Sequence, residues 1–381
     1  MSRRGAGMRE HDGGMSRLHS GRAGEGHPRM QQAIRYLTTD DGTRLAWASM
    51  GAGAPLVKAA NWLSHLEYDL ESPIWRHWAR FFGQHFRFVR YDERGCGMTG
   101  GNPRGLTLAH WLGDLEAVVD ASGFEQPFAL LGISQGVAAC VAYAARHPER
   151  VSKLVLYGAY ARGPYERNSE DSARLYHAIA DIARVGWADE NPVFRQLFTA
   201  RFIPDATDAQ VQWFNELART TTTAEAAGAL LDSRGHINIV SLLNQVAVPT
   251  LVLHARQDGV VPLEEGRLLA AGIPGSRFVQ LESRNHVLLE HEPAWQRFCS
   301  EVLAFLGVDK ASDGRLAALT PRERSTSANA EGHRSAQGLL LENPGRPCGP
   351  RHRDDRVRFN CSAGQKRAPP EPPRNTGRPP R

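Results

Sequence analysis

The stretch Gly132-Ile133-Ser134-Gln135-Gly136 decides how this chain of 381 residues is interpreted. Apolar residues 127–131 come directly before it, and a helix-like segment, residues 137–146, comes directly after it. A strand, a tight turn and a helix in this order expose a serine between two glycines as a nucleophile. The start of the helix offers backbone N–H groups to a developing negative charge. Because so short a pattern recurs by chance, the surrounding sequence has to support the interpretation.

Composition and charge indicate an ordinary core with basic ends. Hydrophobic residues make up 41% of the sequence, as in globular proteins with a sizeable core. The net charge of +5 is uneven, because residues 1–30 carry +3 and residues 321–381 carry +7, which leaves −5 for residues 31–320. The basic character belongs to the ends and does not indicate nucleic-acid binding by the core.

The cysteines and the N-terminus indicate a cytoplasmic protein. No apolar segment follows Arg3-Arg4 as a signal peptide requires, and no apolar run is long enough to predict a transmembrane helix. An odd, scattered set of cysteines without metal-ligand spacing is typical of a reducing compartment. The five are Cys96, Cys140, Cys299, Cys348 and Cys361.

The hydrophobic pattern predicts an α/β fold. Short apolar runs alternate with helix-like segments, which favours a mostly parallel sheet with helices on both faces. The predicted strands lie at residues 32–39, 43–50, 55–60, 86–91, 127–131, 151–157, 250–254 and 277–281. The predicted helices include residues 107–121, 137–146 and 293–306.

Three regions depart from this alternation. Residues 161–245 contain no strong strand and many aromatic residues, which predicts an inserted helical lid. Residues 1–30 form a predicted disordered extension, and residues 309–381 form a predicted disordered tail rich in Arg and Pro. Neither end has enough large apolar groups to offset the entropy of ordering.

Residues 31–308 resemble the α/β-hydrolase superfamily, in which a nucleophile, an acid and a histidine follow in this chain order. Ser134 is the first of these residues, Asp258 follows a predicted strand in an Asp-x-x-Val-Pro turn, and His286 follows the last predicted strand. Residues 92–97 match the family's Asp-x-Arg-Gly-x-Gly loop. The resemblance implies the α/β-hydrolase fold, with structural roles for Asp92 and Arg94.

The resemblance also implies a role for each site residue. Ser134 would attack a carbonyl, His286 would take its proton, and Asp258 would orient and stabilise the imidazole. The oxyanion hole would consist of the backbone N–H groups of Gln135 and Trp62. Many relatives have His-Gly where this chain has Asn61 and Trp62, but a backbone donor does not depend on the type of side chain.

Residues 58–69 and 72–78 resemble a bacterial subgroup of these hydrolases that is often fused to a LuxR-type helix-turn-helix domain. Residues 319–324, Leu-Thr-Pro-Arg-Glu-Arg, resemble the opening of that domain, and the resemblance stops after Arg324. The sequence then changes abruptly to Arg, Pro and Gly. We therefore hypothesise that the tail is a truncated or frameshifted remnant of that domain.

These features favour a serine carboxylesterase that hydrolyses small acyl esters through an acyl-enzyme, without a metal or organic cofactor. Lactonase, C–C hydrolase and perhydrolase activities use the same residues and stay open. The alternative is the ligand-sensing domain of a LuxR-type transcription regulator with little turnover. Since no recognition helix is recognisable, we expect a small-molecule ester as partner, with no nucleic acid and no membrane. The sequence does not indicate the oligomeric state.

Overall fold

One sheet organises residues 31–308, the part of the chain that the computed structural model describes. Its strands lie in the order β1-β2-β4-β3-β5-β6-β7-β8, and within this sheet β2 alone runs against the direction of the other seven. The predicted, mostly parallel α/β sheet is therefore confirmed. The strands are β1 (Ala33–Thr38), β2 (Arg44–Met50), β3 (Ala54–Lys58), β4 (Phe86–Tyr91), β5 (Phe128–Ile133), β6 (Val151–Tyr157), β7 (Thr250–Ala255) and β8 (Arg277–Leu281).

Ten α-helices accompany the strands within residues 31–308. They are α1 (Tyr68–Glu71), α2 (Arg76–His85), α3 (Leu108–Ala121), α4 (Gly136–Arg146), α5 (Glu170–Gly186), α6 (Val193–Phe202), α7 (Asp208–Thr221), α8 (Ala224–Gly235), α9 (Leu263–Gly272) and α10 (Pro293–Leu306). The three helices predicted with bounds are α3, α4 and α10. Helix α9 was not predicted, although Pro262 precedes it and Glu264 and Glu265 lie in its first turn, as at many helix starts.

Local sequence signals mark the ends of several helices. Ser169 accepts a hydrogen bond of 3.2 Å from a main-chain N–H in the first turn of α5, and Thr223 does the same for α8 at 3.2 Å. Helix α10 begins with Pro293 and ends before Gly307, whose φ of 79° is left-handed. These residues supply the partners or the turn that a helix end requires.

Helices α5 to α8 occupy the interval between β6 and β7. The interval 161–245 thus has the helical content that the sequence predicts, with short 3-10 turns at Pro164–Glu166 and Val240–Gln245. The Trp187 indole stacks on that of Trp62, with ring centroids 5.3 Å apart, and donates a hydrogen bond of 2.8 Å to the Ala218 carbonyl. The inserted helices are therefore packed against the loop that follows β3.

The centre of the sheet is fully buried, and an aromatic cluster covers one side of it. Every residue of β5 and β7 is buried, as expected for strands with helices on both faces. The cluster joins Trp78 of α2, Tyr157 of β6 and Phe298 of α10, with ring centroids 4.8–5.5 Å apart. The Trp78 indole also donates a hydrogen bond of 3.1 Å to the Leu288 carbonyl. The cluster therefore anchors the loop that contains His286.

The predictions for residues 1–30 and 309–381, including the helix-turn-helix remnant at 319–324, lie outside the described residues. Between residues 31 and 308, no helix is both long and apolar enough to cross a membrane.

We expect Phe298→Ala to lower the free energy of unfolding by about 3–5 kcal/mol, because it opens a cavity among packed rings. Phe298 is 0% exposed. Leu175→Ala is the matched control, since Leu175 is 57% exposed, and it should change the value by less than about 0.5 kcal/mol. Equilibrium urea denaturation measures both. Equal losses in the two variants would contradict the assignment of Phe298 to the core.

Candidate active site

Ser134 lies at a sharp turn between β5 and α4. Its φ of 53° is left-handed, which is uncommon for a residue other than glycine. A Cβ atom on Gly132 would lie 2.9 Å from Val137 Cα, and one on Gly136 would lie 2.6 Å from the Ala60 carbonyl oxygen. Both glycines are therefore required by close backbone approach, which explains the spacing of the pentapeptide.

Asp258 and His286 form a buried hydrogen-bonded pair. The distance from Asp258 Oδ2 to His286 Nδ1 is 2.7 Å, and Asp258 Oδ1 accepts hydrogen bonds of 2.8 and 2.9 Å from the N–H groups of Val260 and Val261. Burial acts to raise the pKa of the Asp258 carboxyl, but the His286 ring and these hydrogen bonds outweigh it and hold the pKa below its usual value. An ionised Asp258 only accepts hydrogen bonds, so His286 Nδ1–H donates and Nε2 is left as an acceptor.

The His286 ring and Ser134 lie against neighbouring residues at the end of β6. The Ser134 N–H donates a hydrogen bond of 3.0 Å to the Tyr157 carbonyl. The next residue, Gly158, has a φ of 56°, and a Cβ there would lie 3.1 Å from His286 Cε1. Within residues 31–308, His286 Nε2 has no hydrogen-bond partner. The structure thus brings the three predicted residues to the carboxyl ends of β5, β7 and β8, where open parallel sheets bind ligands.

Two residues, Phe202 and Glu292, hold the His286 loop in place. The sequence did not indicate either of them. The His286 N–H donates a hydrogen bond of 2.8 Å to the Phe202 carbonyl at the end of α6, and the Phe202 ring meets the imidazole edge-on at a centroid distance of 5.2 Å. The half-buried Glu292 carboxylate accepts three hydrogen bonds that close the loop. Their donors are Ser283 Oγ at 2.6 Å, Asn285 Nδ2 at 3.2 Å and the Leu289 N–H at 2.6 Å.

Two residues that line the cavity with Ser134 have a backbone N–H without an acceptor in the 31–308 region. They are Gln135 and Trp62, the residues that the sequence assigns to the oxyanion hole, and neither N–H donates to another residue of that region. Both residues line the same cavity as Ser134. Ala60 lies against Gly136, so the loop that carries Trp62 is packed directly onto the serine turn.

A cavity next to Ser134 lies between the inserted helices and the sheet edge. It has about 580 Å³ of empty space, including its mouth to solvent. Aromatic and aliphatic side chains, among them Tyr176, Phe198 and Leu231, form much of its wall. A mostly apolar pocket with a few polar groups is typical of small-molecule sites.

Glu93 and Arg234 form an ion pair that joins the loop after β4 to α8. Their side chains are 2% and 3% exposed. Glu93 also accepts a hydrogen bond of 3.0 Å from the Trp111 indole and one of 3.4 Å from the Gln135 amide. Burial raises the pKa of the Glu93 carboxyl, although Arg234 acts against this. The sequence did not indicate the pair because its members are 141 residues apart.

Asp92 ties the loop after β4 to the loop after β3, and Arg94 ties it to α3, in line with the structural roles expected for them. Asp92 Oδ2 accepts hydrogen bonds of 3.1 and 2.9 Å from the N–H groups of Leu66 and Met98. The Arg94 guanidinium binds both oxygens of Asp114, at 2.6 and 2.7 Å. Neither side chain lines the cavity beside Ser134.

Comparison with known proteins identifies the family. Residues 68–293 match the family model described as the alpha/beta hydrolase fold. The chain belongs to this family. The α/β hydrolase is similar to the AB hydrolase superfamily protein YisY of Bacillus subtilis, with 28% identity over 258 residues, 66% of this chain and 91% of that protein.

Two further similarities are to esterases. A pimeloyl-[acyl-carrier protein] methyl ester esterase of Neisseria meningitidis is 28% identical over 217 residues, 56% of this chain and 69% of that protein. The crystal structure of the esterase RhEst1 from Rhodococcus sp. ECU1013 matches with a TM-score of 0.60 and 25% identity, over 72% of this chain and 98% of that one. These similarities support a hydrolytic role for this α/β hydrolase.

We expect Arg234→Met to lower the free energy of unfolding by about 3–5 kcal/mol, because it leaves the Glu93 carboxylate buried without its partner. The double variant Glu93→Gln/Arg234→Met should lose less than the single variant, since no unpaired charge remains. Urea denaturation measures both.

Arg104→Met is the control, because the Arg104–Glu225 pair is 65% and 68% exposed and should contribute less than about 1 kcal/mol. A double variant less stable than Arg234→Met would show that the effect does not arise from the unpaired carboxylate.

Proposed function

We propose that this α/β hydrolase is a serine carboxylesterase with Ser134, His286 and Asp258 as its catalytic residues. One observation carries the proposal. The buried Asp258–His286 hydrogen bond leaves His286 Nε2 as an acceptor without a partner among the described residues, at the sheet edge that presents Ser134. An imidazole in this state is ready to take a proton from a neighbouring hydroxyl.

The reaction would proceed in two halves. Ser134 Oγ attacks the ester carbonyl and passes its proton to His286 Nε2, which then protonates the departing alcohol. The acyl-enzyme is hydrolysed by a water molecule that His286 deprotonates. Asp258 stays ionised throughout, because its second oxygen is held by the two main-chain N–H groups of Val260 and Val261, and it stabilises the imidazolium that forms in each half.

The Gln135 and Trp62 N–H groups would stabilise the oxyanion. Both are fixed before the substrate arrives, since Gln135 is the N-cap residue directly before α4 and Trp62 is stacked on Trp187. Preorganised donors of this kind are more effective than water, which has to reorient as charge develops. Trp62 thus stands in for a loop residue that is a glycine in many relatives.

Small acyl esters are the proposed substrates, and two of the relatives described above are named esterases. Lactone hydrolysis, C–C hydrolysis and peracid formation would use the same three residues. The ligand-sensor function predicts binding in the cavity with little turnover. Product formation from 4-nitrophenyl acetate and butyrate therefore separates an enzyme from a sensor.

Ser134→Ala should lower kcat/KM for 4-nitrophenyl butyrate by about 10⁶-fold, because it removes the nucleophile. The matched control is Ser152→Ala, at an exposed position of β6, which should retain the activity of the unaltered protein. Release of 4-nitrophenolate is followed by absorbance. Equal turnover by the Ser134→Ala variant and the unaltered protein would refute the proposal.

Asp258→Asn should lower kcat by about 10⁴-fold, because an amide that donates to His286 favours the wrong tautomer. Asp171→Asn is the control, since Asp171 is 92% exposed in its side chain and should leave kcat unchanged. The same absorbance assay measures both variants. A loss of less than tenfold for Asp258→Asn would show that another group orients His286.

A further inference from the structure

The cavity beside Ser134 contains three arginines among its apolar walls: Arg167, Arg201 and Arg234. Charged groups in a largely apolar pocket are unfavourable unless another group compensates them. The acids of the same pocket region therefore decide how much of this positive charge is already neutralised.

Arg234 is only partly engaged. Its Nη2 contacts the Glu93 carboxylate, but Nε and Nη1 are buried and have no hydrogen-bond partner within residues 31–308. The guanidinium lies over the Trp62 ring, with Cζ 4.6 Å from the centroid. A buried arginine that lines the cavity thus has donors that no protein group uses.

Arg167 and Arg201 are likewise only partly engaged by other residues. Each donates a single hydrogen bond from Nε to a main-chain carbonyl, at 2.9 Å to Arg162 and at 3.0 Å to Gly259. Within the described part of the chain, neither side chain forms an ion pair. The Nη groups of both arginines are therefore left for a ligand, in the planar arrangement that matches a carboxylate.

The nearby acids are already occupied. Glu265 lies near Arg167 but is bound by Arg162, whose Nη2 is 2.9 Å from it. Asp258 lies near Arg201 but is bound by His286 and two main-chain N–H groups. Burial lowers the pKa of both Arg167 and Arg201, in the direction expected for cations without a bound anion.

We propose that the ester substrate carries an anionic group, a free carboxylate, that binds Arg167 and Arg201 while the ester carbonyl lies at Ser134. The half-esters of short dicarboxylic acids and the acyl esters of hydroxy acids are the substrate classes with this chemistry. The inference rests on the proposed esterase function and narrows it. It assigns specificity to the inserted helices, since Arg201 lies on α6 and Arg167 lies between β6 and α5.

Paired substrates test the inference on the full chain. Mono(4-nitrophenyl) glutarate is compared with its neutral methyl ester, and 4-acetoxybutanoate with its methyl ester. In at least one pair, kcat/KM for the carboxylate should exceed that of the neutral ester by about tenfold or more, as charge-assisted hydrogen bonds provide. The pair that responds identifies whether the acyl or the alcohol half binds the arginines.

Single variants then test whether Arg167 and Arg201 produce the preference for the carboxylate substrate. Arg167→Gln and Arg201→Gln should each lower the carboxylate-to-neutral ratio of kcat/KM by about tenfold. Arg201→Lys should restore part of the ratio, which a merely structural role would not predict. The control is Arg80→Gln, because Arg80 is exposed on α2 and does not line the cavity. It should leave the ratio unchanged.

Binding measured by calorimetry tests the carboxylate site independently of the proposed esterase activity. Glutarate should bind the unaltered protein and should not bind the Arg167→Gln/Arg201→Gln double variant. Tighter binding of inorganic phosphate than of glutarate would overturn the choice of a carboxylate. Turnover of neutral esters with no carboxylate preference in either pair would overturn the inference and leave the esterase proposal standing. Glutarate binding without turnover of any ester would overturn the esterase proposal and would leave only the assignment of Arg167 and Arg201 as a carboxylate-binding site.

Discussion

The close approach of three backbone segments at Ser134 is the constraint on which the site depends. The end of β5, the start of α4 and the loop after β3 meet where a side chain on Gly132 or Gly136 would collide with main-chain atoms. The left-handed turn at Ser134 is therefore held from both sides. The Ser134 N–H is bonded to the end of β6, and Gly158 at that end lies against the His286 ring, so the same part of the sheet positions Ser134 and His286.

The charged and polar groups around this turn form two sets. One set is bonded to other protein groups, and the other has atoms without a partner among residues 31–308. Arg94 is paired with Asp114 on α3, and Asp92 Oδ2 accepts hydrogen bonds from the N–H groups of Leu66 and Met98, so both side chains are bound within the fold. His286 Nε2 and Arg234 Nε and Nη1 are buried and have no partner among residues 31–308, and the Nη groups of the half-buried Arg167 and Arg201 donate to no protein group there. Buried polar groups are rarely left unsatisfied unless they serve chemistry or binding. The three arginines whose donors are not all used by residues 31–308 line one cavity together with Ser134.

The parts that the sequence predicted are those with local signals. The strands were predicted to within two residues of their observed bounds, and Ser134, Asp258 and His286 each follow a strand in a recognisable turn. The contacts that hold these residues were not predicted, because they join distant parts of the chain. Glu93 and Arg234 are 141 residues apart, and nothing near either one indicates the other. Glu292 follows His286 closely but belongs to no motif, and its function in the loop depends on a fold that local periodicity does not describe.

The hydrogen bond between the His286 N–H and the Phe202 carbonyl couples access to reactivity. Helix α6 ends at Phe202, so a swing of α6 away from the sheet to admit a ligand would withdraw the acceptor that positions the imidazole loop. Under the proposed function, widening the entrance by such a movement would therefore also shift the proposed base. The helix that forms part of the cavity wall and the loop that carries His286 cannot move independently while this hydrogen bond is kept.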